Sequence, residues 1–237
     1  MRINKFISES GICSRREADA WIEAGRVAIN GRPATLGSKI EAGDEVTVDG
    51  KTVGPRKSVV YLALHKPVGI TCTTEHSVAD NIVDYVGYPE RIFPVGRLDK
   101  DSEGLILLTN DGDIVNAILR AEHAHEKEYV VTVDRPVTDA FLEEMQQGVE
   151  ILGTRTRPCQ ASRIAKNRFR VILTQGLNRQ IRRMCEALGH RVTRLRRVRI
   201  MHIELGDLEP GEWRDLDEDE AHELLARCGR SPDGERP

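Results

Sequence analysis

Apolar residues at positions 3, 6 and 7 recur at helical spacing and are stopped by Gly11, which predicts a helix over 3–9. Ser14-Arg15-Arg16-Glu17 is a capping-box sequence. It opens a second helix with Ala18, Trp21 and Ile22 on one face, ending at Gly25. Val27 and Ile29 then run into Asn30-Gly31, and Val46 and Val48 into Asp49-Gly50. Both dipeptides suit tight hairpin turns. Two short helices followed by small strands predict a compact unit over 1–53, and Gly54–Ser58 reads as a linker.

The pattern changes beyond the linker. Val59–Leu64 predicts a strand, broken at Lys66-Pro67-Val68-Gly69, and 73–90 is loop-rich with a short helix at 81–86. Leu105 to Leu108 form an unbroken apolar run stopped by Asn110-Asp111-Gly112-Asp113, the mark of a strand buried on both faces. The polar stretch Arg97–Gly104 feeds that strand. A polar loop ending on a buried strand holds its side chains on a rigid support, as a site requires. Ile114, Val115, Ile118 and Leu119 predict an amphipathic helix, and the alternation over 125–133 a half-buried strand. Thr138 caps a helix carrying Phe141, Leu142 and Met145, ended by Gly148. Strands are expected near 154–160, at 168–174 and from about 192 to 203, with a helix ending at Gly189 between the last two. Asp217–Glu220 caps a final helix to about Arg227, and 229–237 is a polar tail expected to be disordered.

Composition narrows the class. Hydrophobic residues at 39% and charged residues at 31% fit a soluble globular protein, and no run approaches the roughly 18 apolar residues of a membrane span. The N-terminus lacks the apolar core of a signal peptide. The five cysteines (13, 72, 159, 185, 228) are scattered, without a C-x-x-C pair. A reducing cytoplasm is expected, without a disulfide framework. The net charge of −3 conceals an asymmetry, because residues 154–200 carry 14 Lys and Arg against one acid. Such a block calls for a polyanion or an acidic neighbour, and the flanking segments, 58–153 and 201–237, are acidic.

Several chemistries are excluded by what is missing. There is no phosphate-binding G-x-x-x-x-G-K-[ST] loop, no dinucleotide fingerprint and no G-x-S-x-G elbow. His123-x-His125 has no nearby third ligand, so no metal is expected. What remains is an acid between two bases, Arg97-Leu98-Asp99-Lys100. A guanidinium close by favours an ionised carboxylate, ready as nucleophile or base without a cofactor.

Two resemblances sharpen this. Ser-Arg-Arg-Glu-Ala opening the second helix and Val-x-Ile-Asn-Gly after it resemble the S-four-like RNA-binding domain, with Arg15, Arg16 and Lys39 as its candidate RNA contacts. Lys66-Pro67-x-Gly69, Gly96-Arg97-Leu98-Asp99-x-Asp101-Ser102-x-Gly104-Leu105, Lys127-Glu128-Tyr129 and Gly176-x-Asn178-Arg179-Gln180-Ile181-Arg182-Arg183-Met184 stand in the order of the RsuA/Rlu-type RNA pseudouridine synthases. The runs at 9–19 and 176–186 are most similar to the large-subunit synthase F branch. His65 departs from the family, which usually has Asn there.

The resemblance implies an α+β protein: the small RNA-binding domain, then a catalytic domain over 59–228 on a mixed, largely antiparallel sheet. It implies cofactor-free isomerisation of uridine in 23S ribosomal RNA, with the tyrosine transfer RNA anticodon loop as a second candidate. Asp99 matches the catalytic aspartate, which attacks C1′ or removes the 2′ proton. Tyr129 matches the aromatic packed on the uracil, and Arg182 the base paired with the aspartate. Arg97 matches the arginine that fills the space left by the flipped nucleotide. Arg179, Gln180 and Ile181 are expected at the RNA, with Lys100, Asp101, Ser102 and Glu103 beside them. Lys66 and Pro67 are read as structural. A monomer is expected. The alternatives are a non-catalytic RNA-binding ribosome-assembly factor on the same fold, and an RNA methyltransferase, which the missing glycine-rich loop disfavours.

Overall fold

The computed structural model describes residues 1–55, 58–119 and 124–230. Arg56 and Lys57 of the expected linker, His123, and 231–237 of the expected tail lie outside them. The chain forms two compact units. The first is Met1–Val60 with Tyr88–Ile92 and Asn110–Gly112, and the second is the remainder.

In the first unit, α1 (Ile3–Glu9) and α2 (Arg15–Glu23) precede β1 (Val27–Ile29), β2 (Arg32–Pro33), β3 (Val46–Val48) and β4 (Lys51–Thr52). The strands form a sheet in the order β2-β1-β3-β4. The capping box is made: Glu17 N donates to Ser14 Oγ at 3.2 Å, and Ser14 N to Glu17 Oε2 at 2.6 Å. Asn30 and Gly31 both take positive φ, 50° and 74°, as a two-residue hairpin with the right twist demands. Ile3, Ile7, Ala18, Ile22, Val27 and Val46 are buried together as a core of this unit. Arg15, Arg16 and Lys39 are exposed.

The second unit comprises β5 (Tyr61–Lys66), α3 (Ile82–Val86), β6 (Phe93–Pro94), β7 (Glu103–Thr109), α4 (Gly112–Leu119) and β8 (Lys127–Val133). There follow α5 (Asp139–Gln147), β9 (Glu150–Ile151), β10 (Thr154–Arg155), β11 (Gln160–Ala165), β12 (Arg168–Leu173) and α6 (Gln180–Ala187). Last come β13 (Val192–Ile200), β14 (Ile203–Glu204), β15 (Trp213–Asp215) and α7 (Glu218–Arg227). Its large sheet runs β11-β12-β8-β13-β7-β5-β15, and among the described residues only β13 and β7 of these strands pair in parallel. The sheet is thus mixed and mostly antiparallel, as expected.

All seven residues of β7 are buried: β13 and β5 flank it, Leu105 and Leu107 join the core on one face, and Ile106 and Leu108 on the other are fully buried. The close approach of β7 to β13 has a specific cause. A Cβ on Gly104 (φ +109°) would stand 2.2 Å from Arg197 O and 2.6 Å from Arg197 N, so only glycine lets these two backbones meet.

Three strand expectations are corrected. The strand near 154–160 is instead a small hairpin, β9–β10, turning at Leu152-Gly153, followed by the separate strand β11. The strand over 192–203 breaks at Met201, which takes φ 55° and turns the chain into β14. β5 starts at Tyr61 and carries two residues past the expected end, so that His65 and Lys66 lie in the sheet. β15, which pairs with β5, carries no apolar alternation that would predict a strand.

Candidate active site

The loop from Val95 to Ser102, between β6 and β7, is tied at several points. Val95 N donates to Leu107 O at 2.8 Å, and Ser102 N closes a turn onto Asp99 O at 3.0 Å. Leu98 turns its side chain into the interior, 7% exposed, and its N–H donates to Cys72 Sγ at 3.3 Å. With Leu98 inward, Arg97 is exposed and Asp99 half-buried on the open side.

A second tie comes from Lys66. Its side chain is fully buried, and Nζ donates to Pro67 O at 2.7 Å and Ile70 O at 2.9 Å. Burial pushes the ammonium below the ordinary lysine value. These bonds fix the turn whose Gly69 N donates to Lys100 O at 2.8 Å, next to Asp99. Lys66 therefore steadies the loop with its side chain as well as through the bend at Pro67.

Basic residues of α6 and of the residue preceding it close on the loop. Arg179, held at φ 50° at the N-cap, donates to both Asp101 oxygens (3.0 and 2.9 Å), and its Nη1 lies 3.3 Å from Asp99 Oδ2. These hydrogen bonds hold the Asp101 carboxyl below the usual carboxylate range. Arg182 lies one turn into the helix and is more buried. Its Nη2 donates to Asp101 O at 2.8 Å and Ser102 Oγ at 3.0 Å and lies 3.4 Å from Asp101 Oδ2. The ion pair to Asp99 expected of Arg182 is thus made by Arg179, whose left-handed backbone projects it over the loop mouth.

Asp99, Arg97, Tyr129, Lys127, Arg179 and Arg197 share the wall of one cavity of about 460 Å³. That lies within the roughly 300–1,000 Å³ of small-molecule sites. Tyr129 is half-buried on β8 and stands directly across the strand pair from Arg197. Burial, and secondly the Arg197 charge, bring the Lys127 amine down to about 8.

Four of the expected RNA contacts are turned inward. Ser102 is 1% exposed, and Glu103, 7% exposed, is engaged by Arg194 Nε at 2.5 Å. Gln180 is buried with Oε1 accepting from Leu177 N at 3.0 Å, and Ile181 sits in the core beside Met184. Ser102, Gln180 and Ile181 wall the cavity but offer no outer surface. Arg97 and Lys100 are exposed, and Lys100 pairs with Asp80 at 3.0 Å. Asp101 is the hub of the arginine network. Among the described residues no three metal-ligating side chains gather, and no helix is long and apolar enough to cross a membrane.

Lys127 and Arg197 are cavity residues to which the sequence assigned no role. The one signal for Arg197 is that it shares strand parity with Leu195, an inward position.

Residues 60–187 match the RNA pseudouridylate synthase family and residues 1–46 the S4 domain. The dual-specificity RNA pseudouridine synthase RluF of Salmonella typhi is 58% identical over 94% of this chain and 78% of its own. That of Escherichia coli is 54% identical over 100% of this chain and 82% of its own. A crystal structure of a pseudouridylate synthase superposes with a TM-score of 0.69 at 30% identity, covering 95% of this chain and 100% of the other. The chain belongs to the RNA pseudouridylate synthase family.

Proposed function

We propose that this protein isomerises uridine to pseudouridine in 23S ribosomal RNA and in the anticodon loop of tyrosine transfer RNA, with Asp99 as the catalytic group. The observation that carries the site assignment is the meeting of Asp99, its Arg179 partner and Tyr129 on the wall of one cavity. Relatives named for dual specificity support two RNA targets. A stacked nucleotide hides its glycosidic bond, so the target uridine leaves the stack and enters the cavity. Tyr129 packs on its base, an interaction worth roughly 1–3 kcal/mol in single-strand binders. Exposed Arg97 fills the gap left behind.

Asp99 then attacks C1′ or takes the 2′ proton, and either route breaks the bond from C1′ to N1. The uracil turns and bonds through C5, C5 loses its proton and N1 gains one. Atoms are rearranged within one nucleotide without net oxidation, so the reaction needs no cofactor. Arg179 compensates the Asp99 charge, and Arg182 holds the loop behind it. Residues 1–53 dock RNA, 54–58 link, and 59–228 catalyse, in a cytoplasmic monomer.

Asp99→Asn tests the assignment. The amide keeps the shape but can neither attack nor accept the proton, so pseudouridine formation is expected to vanish with RNA affinity retained. Turnover above a few per cent of the parent would reject Asp99. Mapping pseudouridines in ribosomal and transfer RNA, with and without the gene, tests the targets. An assembly factor would leave both maps unchanged.

A further inference from the structure

Arg197 is a buried cation with an unpaired donor. It is 4% exposed, and its Nε donates to Leu105 O at 2.7 Å. Nη2 is buried and has no hydrogen-bond partner among the described residues. No carboxylate within them pairs with it: Glu103 is taken by Arg194, and Glu128 by Arg170 and Arg199. A guanidinium buried without an anion is unfavourable, and its place over the Tyr129 ring offsets only part of that. Such an arrangement persists where the missing partner arrives with a ligand.

The position says which ligand group that is. The guanidinium carbon lies 6.0 Å from the centre of the Tyr129 ring, and both side chains line the cavity of Asp99. A base stacked on Tyr129 has polar atoms only at its rim, and for uracil the acceptors there are O2 and O4. When the bond from C1′ to N1 breaks, its electron pair stays on the uracil, and the charge spreads from N1 onto those two oxygens. When C5 later bonds to C1′ and surrenders its proton while N1 takes one up, the charge disappears again. A fixed donor beside a carbonyl oxygen is therefore strongest in the state where the base is detached, the condition for lowering a barrier.

We propose that Arg197 is a further catalytic residue, donating from Nη2 to a carbonyl oxygen of the flipped uracil and stabilising the uracil anion during bond cleavage. This rests on the uridine-isomerising function proposed above. It assigns to β13 the charge stabilisation that Asp99, itself an anion, cannot supply. Lys127, whose amine is lowered partly by Arg197, adds a second basic group to the same wall.

Single-turnover rates at saturating RNA test it, using the full chain with Arg197→Met and Arg197→Lys, on RNA whose target is uridine, 2-thiouridine or 4-thiouridine. Losing one such donor slows comparable reactions about 100-fold or more, and a loss of that size is expected for Arg197→Met with RNA affinity within about twofold of the parent. Sulfur accepts hydrogen bonds poorly, so one of the two thio substitutions should slow the parent and have little further effect on Arg197→Met. A purely structural arginine would not produce that coupling. If Arg197→Met does not fold, judged by thermal unfolding, Arg197→Lys carries the same comparison. A folded variant within about threefold of the parent rate, or thio effects equal in parent and variant, would overturn the proposal. A parent that makes no pseudouridine would instead overturn the underlying function.

Discussion

Arg179 holds Asp99 and Asp101 with one guanidinium: Nη1 lies 3.3 Å from Asp99 Oδ2 while both terminal nitrogens engage Asp101. Two carboxylates two residues apart are kept together by a single shared cation.

Removing that cation should be visible in the pH dependence of stability. Arg179 hydrogen bonds lower the Asp101 pKa in the folded state. The associated stabilisation is fully present above the ordinary carboxylate pKa and is lost as pH falls through the depressed value. Arg179→Ala is expected to be less stable than the parent at pH 6 by on the order of 0.5–1 kcal/mol, the discount reflecting exposure. The gap should close in strong acid. Urea denaturation from pH 6 into strong acid checks this, and a gap that does not narrow as the pH falls would refute it. The same variant should lose about tenfold or more in single-turnover rate.

Gly104→Ala is expected to be severe. Its Cβ would meet Arg197 backbone atoms at 2.2 and 2.6 Å, in a conformation side chains avoid. A strained conformation alone costs roughly 1–3 kcal/mol, and the overlap adds to it. A loss of at least about 2 kcal/mol is predicted by urea unfolding. The rate should fall too, since the displaced strand carries Arg197.

The Lys127 amine, at about 8, gives a second pH signature. Between that value and the ordinary lysine value the unfolded chain binds more protons than the folded one. Stability from this group therefore rises with pH above about 8. Lys127→Met should flatten the stability profile between pH 8 and 10, while Arg197→Met should move the rise to higher pH. An unchanged profile in Lys127→Met would show that the burial penalty is not expressed.

Arg15, Arg16 and Lys39 are exposed and have no ion-pair partner among the described residues. Replacing all three by Ala should weaken RNA binding at every sequence and lower the salt slope by about 2–3 units, at roughly 0.7–0.9 per phosphate contact. The rate at saturating RNA should hold. Filter binding across a salt series decides it, and an unchanged slope would remove these residues from the interface.

Where local chemistry sets the structure, the sequence could be read directly. Ser14 with Glu17, Thr138, and Asp217 with Glu220 mark helix starts, and each makes the cap its side chain suggests. Leu105 to Leu108 lie in the doubly covered strand their pattern implies. Tertiary context decided the rest. Trp213-Arg214-Asp215 has no strand pattern and is a strand only because the edge of β5 is free to pair. Arg179 and Arg182 sit three apart, so spacing alone does not choose which meets Asp99. The positive φ at Arg179 makes that choice. Arg197 shares strand parity with Leu195, but so does Arg199, and local sequence does not choose which of the two is buried.

The parallel pairing of β7 with β13 also fixes when the cavity can exist. Arg197 reaches Leu105 across 92 positions, and Arg182 reaches Ser102 across 80. Contacts of such separation form after local ones, because the loop between them must close first. On the ribosome, where chains emerge N-terminal end first at about 5–20 residues per second, the local hairpins and helices precede them. Asp99 waits on its loop for Arg179, and Tyr129 waits on an incomplete sheet for β13. The nascent chain therefore completes the local elements of its first unit roughly ten seconds or more before it has a cavity in which to alter a nucleotide.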